Sequence, residues 1–138
     1  MIDDKLKRLE ENLRILSKIK GEYSIDDIIA DKVDEWGLRY GLFESLQIVI
    51  DLACGCVAKK NLGVPKNYSE FITILITNKY LNKELGEKIL RTVGLRNLLV
   101  HEYGMPVPQN AGIDIRKLYE YLSHIQDIKD FAHAISKV

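Results

Sequence analysis

Leu38-Arg39-Tyr40-Gly41-Leu42-Phe43-Glu44-Ser45-Leu46-Gln47-Ile48-Val49-Ile50-Asp51-Leu52-Ala53-Cys54-Gly55-Cys56-Val57 is the run whose reading decides the fold. Its apolar members fall on most sides of a helical projection. Such a pattern marks a central helix covered by others, since a helix with only one apolar stripe lies at a surface. The run is expected to end near Lys60, with Gly63 and Pro65 stopping it.

Upstream, Ile2, Leu6, Leu9, Leu13 and Leu16 step by four and three, the seam of an amphipathic helix. That seam needs a cover, either the body of the domain or a second subunit. Gly21 is placed to end the helix. Ser24 and Asp27 then have the spacing of a capping box, and Ile25, Ile28, Ile29 and Val33 give the next segment an apolar face. Gly37 and Gly41 mark a break or a close crossing, because glycine costs about 1 kcal/mol against alanine inside a helix. Trp36, Arg39 and Tyr40 read first as core or interface, then as substrate contacts.

Downstream, residues 71–77 are rich in β-branched side chains, which favour strands. One strand in a helical chain has nothing to pair with, so this segment is expected to be a short helix capped by Ser69. Asn82 is placed to cap the following helix, with Glu84 and Glu87 near its positive end. Leu85, Ile89, Leu90, Val93 and Leu98 are expected to form its buried face. A loop holding Gly104, Pro106, Pro108 and Gly112 follows. The last helix has Ile115, Leu118, Leu122, Ile125 and Ile128 on one side. The expectation is an all-α, up-and-down bundle of about five to six helices, one domain spanning residues 1–138.

With 138 residues the chain can bury a substantial core unaided. Its 20 Lys/Arg balance its 20 Asp/Glu, so no global basic field draws in nucleic acid, and DNA is not an expected partner. The charge is uneven, however. Residues 1–35 carry seven Lys/Arg against ten Asp/Glu, and residues 51–100 carry eight against four. The second segment has room for a modest RNA-binding surface, although a solvated helix face produces the same bias. Cys54 and Cys56 would point about 200° apart on a helix, which precludes a mutual disulfide or a shared metal. The charged N-terminus is no signal peptide, and no apolar run approaches the roughly 20 residues that span a bilayer. These features predict a cytoplasmic protein with buried free thiols, no metal, no cofactor and no membrane contact.

The densest polar chemistry lies in Arg96-Asn97-Leu98-Leu99-Val100-His101-Glu102-Tyr103. A guanidinium grips phosphate through paired N–H donors, and an imidazole moves protons near neutrality. Without clustered carboxylates for a metal, the pair suits metal-free RNA cleavage: a 2′-OH attacks the adjacent phosphorus, His101 transfers a proton and Arg96 stabilises the anionic transition state. Asn97 can hold the imidazole and phosphate, or bond the local backbone. Arg96 and His101, five apart, diverge by about 140° on a continuous helix. One histidine also serves poorly as both acid and base. A two-fold dimer placing two copies in one cleft resolves both difficulties. The bland reading is that Arg96 and His101 cap a helix C-terminus. Glu102 reads as a solvated neighbour, and His124 and His133 as non-ligands.

Arg96-x4-His101, with Asn97 after the arginine and Tyr103 two beyond the histidine, resembles the motif of the HEPN superfamily. The fuller run from Gly94 to Gly104 is similar to its HepT branch, and the leading helix, central helix, Gly63-Val64-Pro65 turn and final helix occur in the same order. The resemblance implies an all-helical homodimer and a metal-independent endoribonuclease toxin acting on RNA. It implies Arg96 and His101 as catalytic residues, Asn97 as assistant, and a minimal nucleotidyltransferase (MNT) antitoxin that transfers AMP to Tyr103. An alternative is a non-catalytic subunit that binds nucleotide or substrate for a nucleotidyltransferase.

Overall fold

A computed structural model describes residues 2–104 and 114–138, with side chains from residue 3 to 99 and from 114 onward. Among the described residues all regular structure is helical, without a strand: α1 (Ile2–Glu22), α2 (Ile25–Ala30), α3 (Lys32–Lys59), α4 (Tyr68–Thr77), α5 (Lys83–Gly104), α6 (Ile115–Tyr121) and α7 (Ile125–Ser136). A single 3₁₀ turn, Leu122–His124, joins α6 to α7, so these pieces form one broken final helix and the bundle counts six.

Helix α3 is the spine. Leu38, Leu42, Leu46, Val49, Leu52 and Ala53 are wholly buried, and α1, α4, α5, α6 and α7 all pack on it. Each fully buried leucine contributes roughly 1.5–3 kcal/mol of transfer free energy. Helix α3 has the length and composition to cross a bilayer, which the sequence reading did not allow for; here it is the core helix. The seam of α1 is covered by the body of the fold, with Leu9, Leu13 and Leu16 buried. At the α1–α3 crossing, a Cβ on Gly41 would lie 3.4 Å from Leu16 Cδ2. Of Gly37 and Gly41, Gly41 is therefore the one at a close approach. Gly37 meets nothing within 4 Å.

Several boundaries differ from expectation. Helix α1 runs through Gly21 to Glu22. The capping box forms as read: the Asp27 N–H donates to Ser24 Oγ at 3.1 Å and the Ser24 N–H to Asp27 Oδ2 at 2.9 Å. The helix it starts stops at Ala30, however, and the break falls at Asp31, whose carboxylate accepts the Val33 N–H at 2.9 Å and caps α3. An aspartate that satisfies an orphan N–H breaks a helix more decisively than a tolerated glycine. Val33 thus begins a new helix and is 70% exposed instead of lining an apolar face. At the far end Asn61, with φ of 52°, turns the chain, and the Leu62 N–H reaches back to Val57 O. This is a left-handed C-terminal stop two residues before Gly63.

Residues 71–77 are helical, within α4, but Asn67 caps them: its Oδ1 accepts the Glu70 N–H at 3.0 Å. Ser69 lies inside the first turn. Asn82 does cap α5, accepting the Leu85 N–H at 2.8 Å. Ile89 and Val93 of α5 are buried as expected. Leu98 is 59% exposed, and its place inside is taken by Leu99. Ile115, Leu118, Leu122, Ile125 and Ile128 all face inward. Thr92 and Tyr121, hydroxyl to hydroxyl at 2.6 Å, tie α5 to the final helix, and burial pushes the Tyr121 phenol up to about 12. Cys56 is buried and Cys54 half-buried, both free. Desolvation raises both thiols, which leaves them weak nucleophiles.

Candidate active site

Helix α5 carries every site residue nominated from the sequence. Its helical backbone continues through positions 101 and 103 to Gly104, so positions 96 and 101 lie about 140° apart around the axis. The side chains of His101, Glu102 and Tyr103 lie outside the described residues. Arg96 and Asn97 lie within them.

Arg96 is half-buried where α5 meets α3 and α4. Its Nε donates to Gln47 Oε1 at 2.8 Å, and its Nη1 donates to Asn97 Oδ1 at 3.1 Å. The guanidinium carbon lies 4.8 Å from the centroid of the Tyr68 ring, within the range of a cation–π contact. Both hydrogen-bond partners are neutral amides. Among the described residues no carboxylate cancels the positive charge, and the N–H groups of a guanidinium are suited to grip an anion. Arg96 is therefore no simple C-terminal cap, because its bonds go to side chains on α3 and α5. Asn97, on the exposed side, spends its oxygen on Arg96 and not on local backbone.

The sequence reading missed Gln47 and Tyr68. Gln47 had one visible signal: it is a polar residue four before Asp51, inside an otherwise apolar stretch of the core helix. Tyr68 had none, because its role depends on how α4 crosses α5. Trp36 and Tyr40, each 61% exposed, are not core. Tyr40 Oη donates to Glu44 Oε2 at 3.0 Å. Glu44 also receives Asn12 Nδ2 at 2.9 Å and Arg8 through Nε and Nη2 at 3.0 and 3.1 Å; these bonds, that of Asn12 foremost, hold its carboxyl below the usual range. Arg39 pairs with Glu35 at 3.3 Å.

An open groove of about 420 Å³ runs between α1 and α3, bordered by Arg8, Tyr40, Glu44, Gln47 and Asp51. It reaches the residue that holds Arg96. A larger cleft, about 620 Å³, lies by the start of α5 between Lys79, Lys88, His133 and Lys137, well away from Arg96. Lys88 there is already engaged by Glu84 at 3.6 Å and Asp127 at 3.7 Å. Proximity to the motif outweighs size, and the Arg96 region is the candidate site. His124 sits 3.8 Å from Asp127, and no three His, Cys, Asp or Glu side chains gather into a metal-holding group among the described residues.

The family model "Ribonuclease HepT-like" matches residues 9–135. The mRNA nuclease HepT of Shewanella oneidensis is 24% identical over 130 residues, 94% of this chain and 86% of that protein. The tri-AMPylated HEPN toxin of Shewanella oneidensis, solved in complex with an MNT antitoxin, superposes with a TM-score of 0.82 at 20% identity, covering 99% of this chain and 97% of that one. Bacillus subtilis YutE, described as a cytosolic protein of unknown function, gives 0.81 at 18% identity over 99% and 86% of the two chains. The two structural likenesses show an all-helical fold, shared with the HEPN toxin, and the match over residues 9–135 establishes kinship: this chain belongs to the HepT-like ribonuclease family.

Proposed function

We infer that the protein is a metal-independent endoribonuclease toxin whose composite site pairs the Arg96 and His101 of two protomers, neutralised by an MNT antitoxin through AMP transfer to Tyr103. The observation that carries the reading is the state of Arg96: fixed by Gln47, Asn97 and Tyr68, and paired with no carboxylate among the described residues. A guanidinium held this way in advance stabilises a crowded phosphorane without reorganising during the reaction. In the cleavage step the 2′-oxygen bonds to phosphorus as His101 takes its proton. The P–O5′ bond breaks, and a proton returned to the 5′-oxygen completes the leaving group. The products are a 2′,3′-cyclic phosphate and a 5′-hydroxyl. With two protomers, one His101 acts as base and the other as acid; Asn97 assists by steadying Arg96.

The dimer finds support in Val33, Trp36, Tyr40 and Gln47. Spaced by three, four and seven along α3, they share one face, and the exposed aromatic part runs directly into the residue holding Arg96. A second protomer seated on that stripe would reach the site. The related HEPN toxin that is tri-AMPylated in its MNT complex supports the assignment of Tyr103, where an added anionic AMP would repel the RNA phosphate.

The test uses the chain freed of any partner. RNA cleavage that persists in EDTA and disappears in His101→Ala, with the fold intact, is the expected result. Wild-type protein that cleaves no RNA would refute the enzyme assignment. Trp36→Glu should give a monomer by sedimentation and lose cleavage with it, whereas an active monomer would overturn the composite site. Incubation with an MNT protein and ATP should add one AMP mass to the wild type and none to Tyr103→Phe.

A further inference from the structure

The bonds that fix Arg96 continue beyond Gln47. Gln47 Oε1 accepts from Arg96 Nε at 2.8 Å, and Gln47 Nε2 donates to Asp51 Oδ1 at 2.9 Å. A primary amide has one accepting and one donating end. Turned over, it would set its NH₂ against the guanidinium donors and its oxygen against the Asp51 carboxylate, making both contacts repulsive. Asp51, one helical turn along the same face of α3, therefore dictates which end of the amide meets Arg96. Neutrality matters as much as orientation. A carboxylate at position 47 would also hold Nε, but it would form an ion pair and compete with phosphate for the charge.

We propose that Gln47 is a positioning residue for Arg96, and that Asp51 sets the Gln47 amide so that the guanidinium is presented to an RNA phosphate in a fixed orientation. The assignment rests on the ribonuclease function inferred above and adds to it the device that orients its electrophilic group. Neither residue touches the reacting atoms; each acts through Arg96.

The experiment compares wild type, Gln47→Leu, Gln47→Glu, Asp51→Ala and the Gln47→Leu/Asp51→Ala double variant in the full chain. It reads kcat and KM on a short RNA, thermal midpoint, and the NMR signal of the Arg96 Nε–H, assigned by its absence in Arg96→Lys. Gln47→Leu should lower kcat about 10- to 100-fold, the scale set by misplacing a catalytic group by an ångström, with KM within about 3-fold and the thermal midpoint close to wild type. Gln47→Glu keeps the acceptor but should raise KM about 10-fold by weakening phosphate capture. Asp51→Ala should cost kcat about 3- to 10-fold alone and nothing further in the Gln47→Leu background, the non-additivity expected of one linked chain. The slowly exchanging Arg96 Nε–H signal should be lost in Gln47→Leu and broadened in Asp51→Ala. An unchanged signal and kcat in Gln47→Leu, or equal Asp51→Ala costs in both backgrounds, would overturn the proposal. If the wild type cleaves no RNA, the ribonuclease assignment fails separately, and the Nε–H signal still decides whether Gln47 and Asp51 hold Arg96.

Discussion

Along one side of α3, Leu38, Leu42, Leu46, Val49 and Leu52 are sealed from water; along the other, Val33, Trp36 and Tyr40 stand open, followed by Gln47 and Asp51. The same helix obeys two rules. Its closed side needs only apolar volume in staggered rotamers, which many sequences supply. Its open side holds residues that burial does not require: an aromatic row, an amide and a carboxylate, the last two bonded in line with Arg96. Under the proposed function, stability and activity are thus divided by face, and substitutions on the two faces should give opposite phenotypes.

The largest effects should separate cleanly. Leu46→Ala, deep on the closed face, is expected to lose about 2–5 kcal/mol of unfolding free energy through transfer and cavity costs, measured by urea denaturation, while the folded fraction still cleaves RNA. Arg96→Ala should do the reverse, reducing kcat on the order of 10²-fold or more, the scale of removing a group that stabilises transition-state charge, with an unchanged denaturation midpoint. An Arg96→Ala protein that unfolds would erase the division.

Next in size is a pH effect on the buried side of α5. Tyr121 is raised to about 12 because burial disfavours the phenolate, and its hydroxyl meets Thr92 at 2.6 Å. A pKa raised by folding means stability is fully present below the unfolded value, about 10, and is lost as pH climbs through the folded one. Unfolding free energy should therefore drop between pH 10 and about 12, by roughly 2 kcal/mol, and Tyr121→Phe should flatten that segment. A curve identical in the two proteins would place the alkaline transition elsewhere.

Smaller again is the cap that launches α2. Ser24→Ala removes the Oγ that accepts the Asp27 N–H and should cost about 1 kcal/mol, with no change in cleavage, because α2 lies before the open row begins at Val33. Lost activity at normal stability would mean that the row depends on how α2 delivers it.

These contrasts also explain what could be read in advance. The apolar run from Leu38, the inward side of the last helix, the Ser24–Asp27 box and the Asn82 cap are local patterns of period or short spacing, and all appear in the fold. Residues 71–77 were legible only by asking what a lone strand would pair with. The break at Asp31 was hidden because a capping aspartate competes with two more conspicuous glycines. Leu98 was misplaced because a one-residue rotation separates it from Leu99, and periodicity alone does not fix that phase. Arg96 was legible from its motif, whereas its holders were not: Gln47 is 49 positions away in sequence and Tyr68 is on another helix. Such partners become visible only when crossing geometry brings them together.

The smallest expected effect marks where the proposed positioning row ends. Lys5 Nζ reaches Asp51 Oδ2 at 3.1 Å, continuing the chain of polar contacts from Arg96 through Gln47 to α1. Yet the Lys5 side chain is 47% exposed, and exposed ion pairs contribute about 0–1 kcal/mol once screening and side-chain entropy are counted. Asp51 needs only Oδ1 to orient Gln47, and that oxygen is not the one Lys5 contacts. Lys5→Ala should therefore shift unfolding free energy by less than about 0.5 kcal/mol and leave kcat unchanged, even in 10 mM salt where screening is weakest (a Debye length of about 30 Å). A kcat that falls in Lys5→Ala and recovers in Lys5→Arg would extend the positioning chain across α1 and tie the leading helix to the chemistry.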